Sequence, residues 1–164
     1  MGGFRGGPAP ARSGTEPMDN TRLLVIDDDT TVLDAIRRMA ERLGYDVKTV
    51  DSARDFMATL ETFRPNYLMI DVVMPETDGV ELLKLLAKRG SDARIIMMTG
   101  YRQSYLAKAI EMGRGLGLSA IAGVIKPLGF GDVKRALSKA ASGEMDPSAQ
   151  REPVAGREVA TGAV

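Results

Sequence analysis

The feature that most constrains this chain is an alternation repeated along its length. Short apolar runs alternate with segments in which apolar residues recur at helical spacing. The runs are Leu23–Ile26, Tyr45–Val50, Tyr67–Ile70, Ala93–Met98 and Ile121–Ile125. Such runs, bounded by turn residues, read as strands. The second run is the weakest, with Val47 and Val50 as its apolar contacts. Between the runs, Val32, Leu33, Ile36, Met39, Ala40 and Leu43 recur at helical spacing. So do Phe56, Met57 and Leu60; Val80, Leu82, Leu83, Leu85 and Leu86; Tyr105, Leu106, Ala109, Ile110 and Met112; and Val133, Ala136 and Leu137. Thr30 and Ser52 stand where helix caps belong. Gly44 stands where a stop belongs, and Gly113, Gly115 and Gly117 close the fourth helix loosely. Near-continuous apolar strands alternating with helices predict an α/β fold, a five-stranded parallel sheet with helices on both faces and right-handed crossovers. Periodicity alone leaves the strand order open between Rossmann-like and flavodoxin-like windings.

A chain of 164 residues suggests one domain with tails. Residues 1–20 are rich in Gly, Pro and Ala, and residues 142–164 have few large apolar side chains. Neither composition buries a core, so both read as disordered tails around an ordered domain at 21–141. Lys+Arg and Asp+Glu each number 22, and the zero net charge offers no bulk attraction to nucleic acid or an anionic membrane. No apolar run nears the roughly 20 residues of a membrane span, and the amino terminus lacks a signal-peptide core. The cytoplasm is the expected compartment. With no Cys and no His, there is no thiol chemistry and no imidazole base. Chemistry falls to carboxylates, Lys, hydroxyls and backbone groups.

In a parallel sheet all carboxyl ends lie along one edge, where open α/β sheets bind ligands. Asp27 and Asp28 follow the first strand, Asp71 ends the third, Thr99 the fourth, and Lys126 follows the fifth. Asp51, after the second strand, is expected too far to the side. Each residue alone has an ordinary reading: a solvated acidic turn, a surface lysine, a structural threonine. Their convergence on one edge does not. Nucleotide binding is disfavoured, because no phosphate-cradling glycine loop follows the first strand.

These residues, with the stretch Ile70-Asp71-Val72-Val73-Met74-Pro75, the pair Asp78-Gly79, Thr99-Gly100 and Lys126-Pro127, resemble a receiver domain of a two-component response regulator. The resemblance spans the whole ordered part. It implies a flavodoxin-like strand order of 2-1-3-4-5 and a cis Lys126-Pro127 bond. It also implies Mg²⁺ held directly by Asp28, Asp71 and the backbone carbonyl of Val73, with Asp27 assisting through water. Oxygen-only ligands suit that ion. Asp71 would be the phosphoacceptor, with Lys126 and Thr99 meeting the phosphoryl oxygens. The implied donor is a sensor histidine kinase or phosphotransfer protein. The implied output is a protein target on the face of the fourth helix, fifth strand and fifth helix, with a homodimer also admitted. The expected activity is that of a single-domain response regulator, not a conventional turnover enzyme.

Two features depart from the family pattern. The position three before the lysine, often aromatic, is Gly123, with Tyr101 and Tyr105 as nearby aromatics. The stretch Gly113-Arg114-Gly115-Leu116-Gly117-Leu118 lengthens the passage to Lys126, as in receivers linked to cyclic-di-nucleotide phosphodiesterases. The glycines suggest a mobile face, and Gly123 supports an alternative, a phosphorylation-independent adaptor. A metal-dependent phosphohydrolase is disfavoured, since Val73 stands where its second catalytic Asp would be needed.

Overall fold

The computed structural model describes residues 21–100, 103–118 and 121–143. The tails expected to be disordered, at 1–20 and from 144 on, lie outside the described residues, as does Tyr101. The elements are β1 (Arg22–Ile26), α1 (Thr30–Arg42), β2 (Asp46–Val50), α2 (Ala53–Phe63), β3 (Tyr67–Asp71), α3 (Gly79–Lys88), β4 (Arg94–Thr99), α4 (Gln103–Gly115), β5 (Ala122–Ile125) and α5 (Phe130–Ser142). All strand pairs are parallel, and the order is β2-β1-β3-β4-β5. Of the two windings open to the sequence, the fold is the flavodoxin-like one.

Strand alternation divides the core into two layers. Leu24, Ile26, Leu68, Ile70, Ile95 and Met97 meet α2, α3 and α4 through Phe56, Leu82, Leu83 and Leu106. Leu23, Val25, Met69, Ile96 and Met98 meet α1 and α5 through Ile36, Val133 and Leu137. Burial of each such large aliphatic side chain stabilises the fold by about 1.5–3 kcal/mol. The central strand β3 is buried at every residue. It ends on a carboxylate that is therefore held in the interior.

Several local expectations change. Helix α1 is capped by Asp29, whose Oδ1 accepts from the Thr31 N–H at 2.9 Å. Thr30 is already helical, because the extended backbone at Asp29 puts the stronger acceptor in the capping position. Ser52 caps α2 as expected, accepting from Asp55 N–H at 3.2 Å. Leu85, Tyr105 and Met112 do not face inward; they are 41%, 51% and 40% exposed. Leu82, Leu83 and Leu86 fill the buried stripe of α3, and Leu106, Ala109, Ile110 and Gly113 fill that of α4.

Two glycines serve packing rather than chain termination. Helix α4 continues through Gly113, where a Cβ would collide with Ile121 Cδ1. Across the interface, a Cβ on Gly123 would lie 2.7 Å from Ile110 Cδ1 and 3.0 Å from Leu106 Cδ2. The space beside Gly123 is thus occupied by aliphatic side chains of α4, which seat the helix closely on β5. The left-handed turn after α4 belongs to Gly117, at φ +80°.

Candidate functional site

The site grows from the carboxyl ends of β1, β3, β4 and β5. Asp27 follows β1 and is fully buried. Its Oδ1 accepts from the Asp29 N–H at 2.9 Å and its Oδ2 from Lys126 Nζ at 2.8 Å. Asp71 ends β3 at 3% exposure. Its Oδ1 accepts from the Val73 N–H at 3.3 Å and its Oδ2 from Lys126 Nζ at 3.2 Å. Thr99, also buried, ends β4, and its carbonyl accepts from Lys126 N–H at 2.8 Å. That bond ties the exit of β5 to the end of β4 and directs Lys126 inward. The Lys126-Pro127 peptide is cis.

The loop after β3 is tied down from both sides. Val72 N–H donates to the Met98 carbonyl at 2.8 Å, and Gly79 N–H donates to the Val72 carbonyl at 3.0 Å. A Cβ on Gly79 would collide with the Asp71 carbonyl oxygen. Glycine is therefore required where α3 starts against the strand end, and Asp78 caps that helix by accepting from Val80 N–H at 2.9 Å.

Carboxylate oxygens of Asp27, Asp28 and Asp71 lie within 4.8 Å of one another, with Asp28 exposed and the other two buried. Burial is the largest influence on Asp71 and the field of Asp27 the next; together they raise its pKa to about 6, against the pull of Lys126 and the Val73 N–H. For Lys126, burial opposes the charge, yet the hydrogen bonds and fields of Asp27 and Asp71 outweigh it and raise the pKa above the ordinary lysine value. One ammonium faces three carboxylates, so the site is short of positive charge. Closely set oxygen donors with no imidazole or thiolate suit a hard divalent cation such as Mg²⁺.

The sequence-predicted residues Asp27, Asp28, Asp71, Thr99 and Lys126 do gather at this edge. Val73 enters through its N–H, beside the carbonyl that the resemblance assigned to the metal. Asp29 and Gly79 went unrecognised as supports; the run Asp27-Asp28-Asp29 was the signal for the first, while the second shows only in close approach. Asp51 stays outside the carboxylate cluster, as expected, yet it shares a neighbouring cavity of about 450 Å³ with Asp28 and Glu76.

The family model for the response regulator receiver domain matches residues 23–137. The chain belongs to the response-regulator receiver family. Its members bind Mg²⁺ at an acidic pocket, are phosphorylated on aspartate in two-component signalling, and work with a histidine kinase or phosphotransfer protein. The receiver is 32% identical over 99 residues to the alkaline phosphatase synthesis transcriptional regulatory protein PhoP of Bacillus subtilis, covering 60% of this chain and 38% of that protein. It is 28% identical over 125 residues to the acid tolerance regulatory protein ActR of Rhizobium meliloti, covering 76% of this chain and 62% of that one. The chain thus spans well under two thirds of PhoP. A CheY-like receiver domain protein from Methanospirillum hungatei superposes with a TM-score of 0.63 at 27% identity, covering 76% of this chain and 96% of that one. The chemotaxis protein CheY4 of Vibrio cholerae shares the fold with a TM-score of 0.65 at 21% identity, covering 74% and 98%. Among the described residues no helix is long and apolar enough to cross a membrane.

Proposed function

We propose that this receiver accepts a phosphoryl group on Asp71 from the phosphohistidine of a sensor histidine kinase or phosphotransfer protein, in a Mg²⁺-dependent reaction. The observation that carries the reading is Asp71 itself. It is a buried carboxylate at a strand end, 3.2 Å from the Lys126 ammonium, with its pKa raised to about 6. Perturbed carboxylates in a cleft beside a specific charge partner cluster at functional sites. An Asp71 carboxylate oxygen forms the new bond to phosphorus as the donor's N–P bond breaks, and the leaving imidazole nitrogen retains the electron pair.

Asp28, Asp71 and the Val73 carbonyl would hold the metal ion, with Asp27 beside them. When bound, the ion supplies positive charge against the oxygens of the transferring group. Lys126 neutralises charge on the same group from the carboxyl end of β5. The Thr99 hydroxyl donates to a phosphoryl oxygen. A phosphoryl group adds about −1.5 to −2 charges and three strong acceptors. Drawing Thr99 and Lys126 toward it shifts the ends of β4 and β5, and the change is read by a protein target on the α4, β5 and α5 face. The receiver gains and loses its own phosphoryl group and turns over no other substrate.

The test is intact mass after incubation with acetyl phosphate and Mg²⁺, with and without chelator, beside Asp71→Asn. A Mg²⁺-dependent gain of one phosphoryl group, absent in Asp71→Asn, is expected. Persistent labelling of that variant would show that the acceptor is another residue. A phosphorylation-independent adaptor, the competing use of this fold, predicts no labelling and no change around α4 on adding beryllofluoride with Mg²⁺.

A further inference from the structure

We propose that α4 and β5 move as one body, joined by two reciprocal sockets, and that this joint carries the phosphoryl state of Asp71 to the outward face of α4. This rests on Asp71 being the acceptor.

By alternation Ile121, just before β5, shares a face with Gly123 and Ile125. Ile121 packs in the core layer that holds α4, whereas Ala122 and Val124 pack in the other. The buried stripe of α4 is Leu106, Ala109, Ile110 and Gly113. The two surfaces fit each other in opposite senses. Ile121 fills the place that a Cβ on Gly113 would take. Ile110 and Leu106 fill the place of a Cβ on Gly123, with Ile110 Cδ1 2.7 Å and Leu106 Cδ2 3.0 Å from it. Each partner thus gives the other one knob and one glycine socket. Sliding α4 along β5 would lift Ile121 out of the hollow at Gly113 and press Ile110 against Ile121 or Ile125. A close-packed interior has no free volume to absorb that. Toward α3 the fit is looser. Leu83 Cδ1 lies 3.5 Å from the same Cβ position on Gly113, an ordinary contact.

The joint leads back to the acceptor. Among the described strands β5 pairs with β4 alone, so its outer side is free of a sheet partner. Lys126 follows it directly. Its ammonium holds Asp27 and Asp71, and its N–H donates to the Thr99 carbonyl at 2.8 Å. A phosphoryl group on Asp71 gives that ammonium a new anionic partner. A change at Lys126 then acts on β5 along the covalent chain. Gly123 has no side chain whose rotamer could pass the change outward. It passes instead from the β5 backbone to Ile110 and Leu106, which rest on it. Packed helices respond to such a push by shifts of about 1–2 Å rather than by gradual deformation. On the far side of α4, Tyr105, Met112 and Leu116 are exposed. The moving body therefore presents an apolar surface whose position reports the state of Asp71.

The experiment follows amide hydrogen exchange by NMR in the full chain, with Mg²⁺ and with or without beryllofluoride. Wild type is compared with Gly123→Ala, which overfills one socket, with Ile110→Ala, which removes its knob, and with Gly123→Ala/Ile110→Val. Intact mass after acetyl phosphate treatment checks that Asp71 is still labelled in each. In wild type, amides of β5 and of α4 from Leu106 to Gly113 should change exchange rate together, by a common factor of at least about fivefold. In both single variants β5 should still respond while α4 loses most of its change; either variant suffices if the other fails to fold. The double variant lacks the Cδ1 that the new methyl would meet, and it should recover the α4 response. An α4 response as large in the single variants as in wild type would overturn the proposal. So would an unchanged α4 in wild type that is labelled by acetyl phosphate. Failure of wild type to take up either acetyl phosphate or beryllofluoride would sink the acceptor reading itself, and the proposal with it.

Discussion

The two edges of the sheet carry opposite charge on similar hollows. At the amino-terminal edge a cavity of about 500 Å³ is lined by Arg64, Arg89 and Arg94, alongside Asp92. At the carboxyl-terminal edge, one of about 450 Å³ is lined by Asp28, Asp51 and Glu76. Part of this polarity follows from the winding. In successive βα units every helix starts at the carboxyl edge and ends at the amino edge, so partial positive charge gathers at one and partial negative charge at the other. Arg64 and Arg89 sit at the C-caps of α2 and α3, while Asp29, Ser52 and Asp78 cap helices at the opposite edge.

The difference lies in depth. The arginine edge is wet: Arg89 pairs with Glu61 at 2.7 Å, with side chains 44% and 64% exposed. Such a pair contributes little to stability. The acidic edge carries Asp27 and Asp71 into the interior around one ammonium. Helix dipoles do not call for buried carboxylates, and Asp71 is pushed up to about 6 by the arrangement. Charge at one edge is a structural accommodation; at the other it is held at a cost to stability and is available for chemistry.

Perturbing the buried edge should give the largest effects. Lys126→Ala removes the cation bound to Asp27 and Asp71. In chelator near neutral pH, urea unfolding should show a loss of about 3 kcal/mol, as when one partner of a buried pair is deleted. Added Mg²⁺ should restore more stability to this variant than to wild type. A loss no greater than that of an exposed pair would mean the carboxylates do not depend on Lys126.

The second effect has a pH signature. The folded-state pKa of Asp71 is raised from 3.8 to about 6. The native state therefore holds a proton that the unfolded chain releases, and stability falls as pH rises through that interval. Asp71→Asn has no such proton to lose. In metal-free protein the variant should match wild type below the lower value and exceed it by about 3 kcal/mol above the upper one. Urea unfolding across that range checks this; a pH-independent difference would contradict the sign.

At the amino-terminal edge the effect should be small. Arg64 is the non-glycine residue at positive φ among those described, at φ 50°. Arg64→Gly should relieve the left-handed strain at the end of α2 and raise stability by up to about 1 kcal/mol. Thermal unfolding would detect it. A loss instead would mean that the Arg64 side chain supports the fold beyond its cap position.

Much of this molecule was legible in order of residues alone. Short apolar runs and a 3.6-residue period are local properties, so the strand and helix identities followed from neighbours in the chain. Once a parallel sheet is accepted, the strand ends share an edge. That is why Asp27, Asp28, Asp71, Thr99 and Lys126 were nameable together although Lys126 and Asp27 are 99 positions apart. Other features rest on distances no pattern encodes. Glycine at 113 looked like a helix stop and is a seat for Ile121; glycine at 123 looked like a missing aromatic and is a seat for Ile110. Leu85, Tyr105 and Met112 had the right spacing for burial, and only the width of the packed interface left them outside. The cavity that joins Asp51 to Glu76 depends on how two loops lie side by side. Periodicity is set by covalent spacing along one element, whereas cavities, sockets and the field at Asp71 are set by what another element brings within a few ångströms.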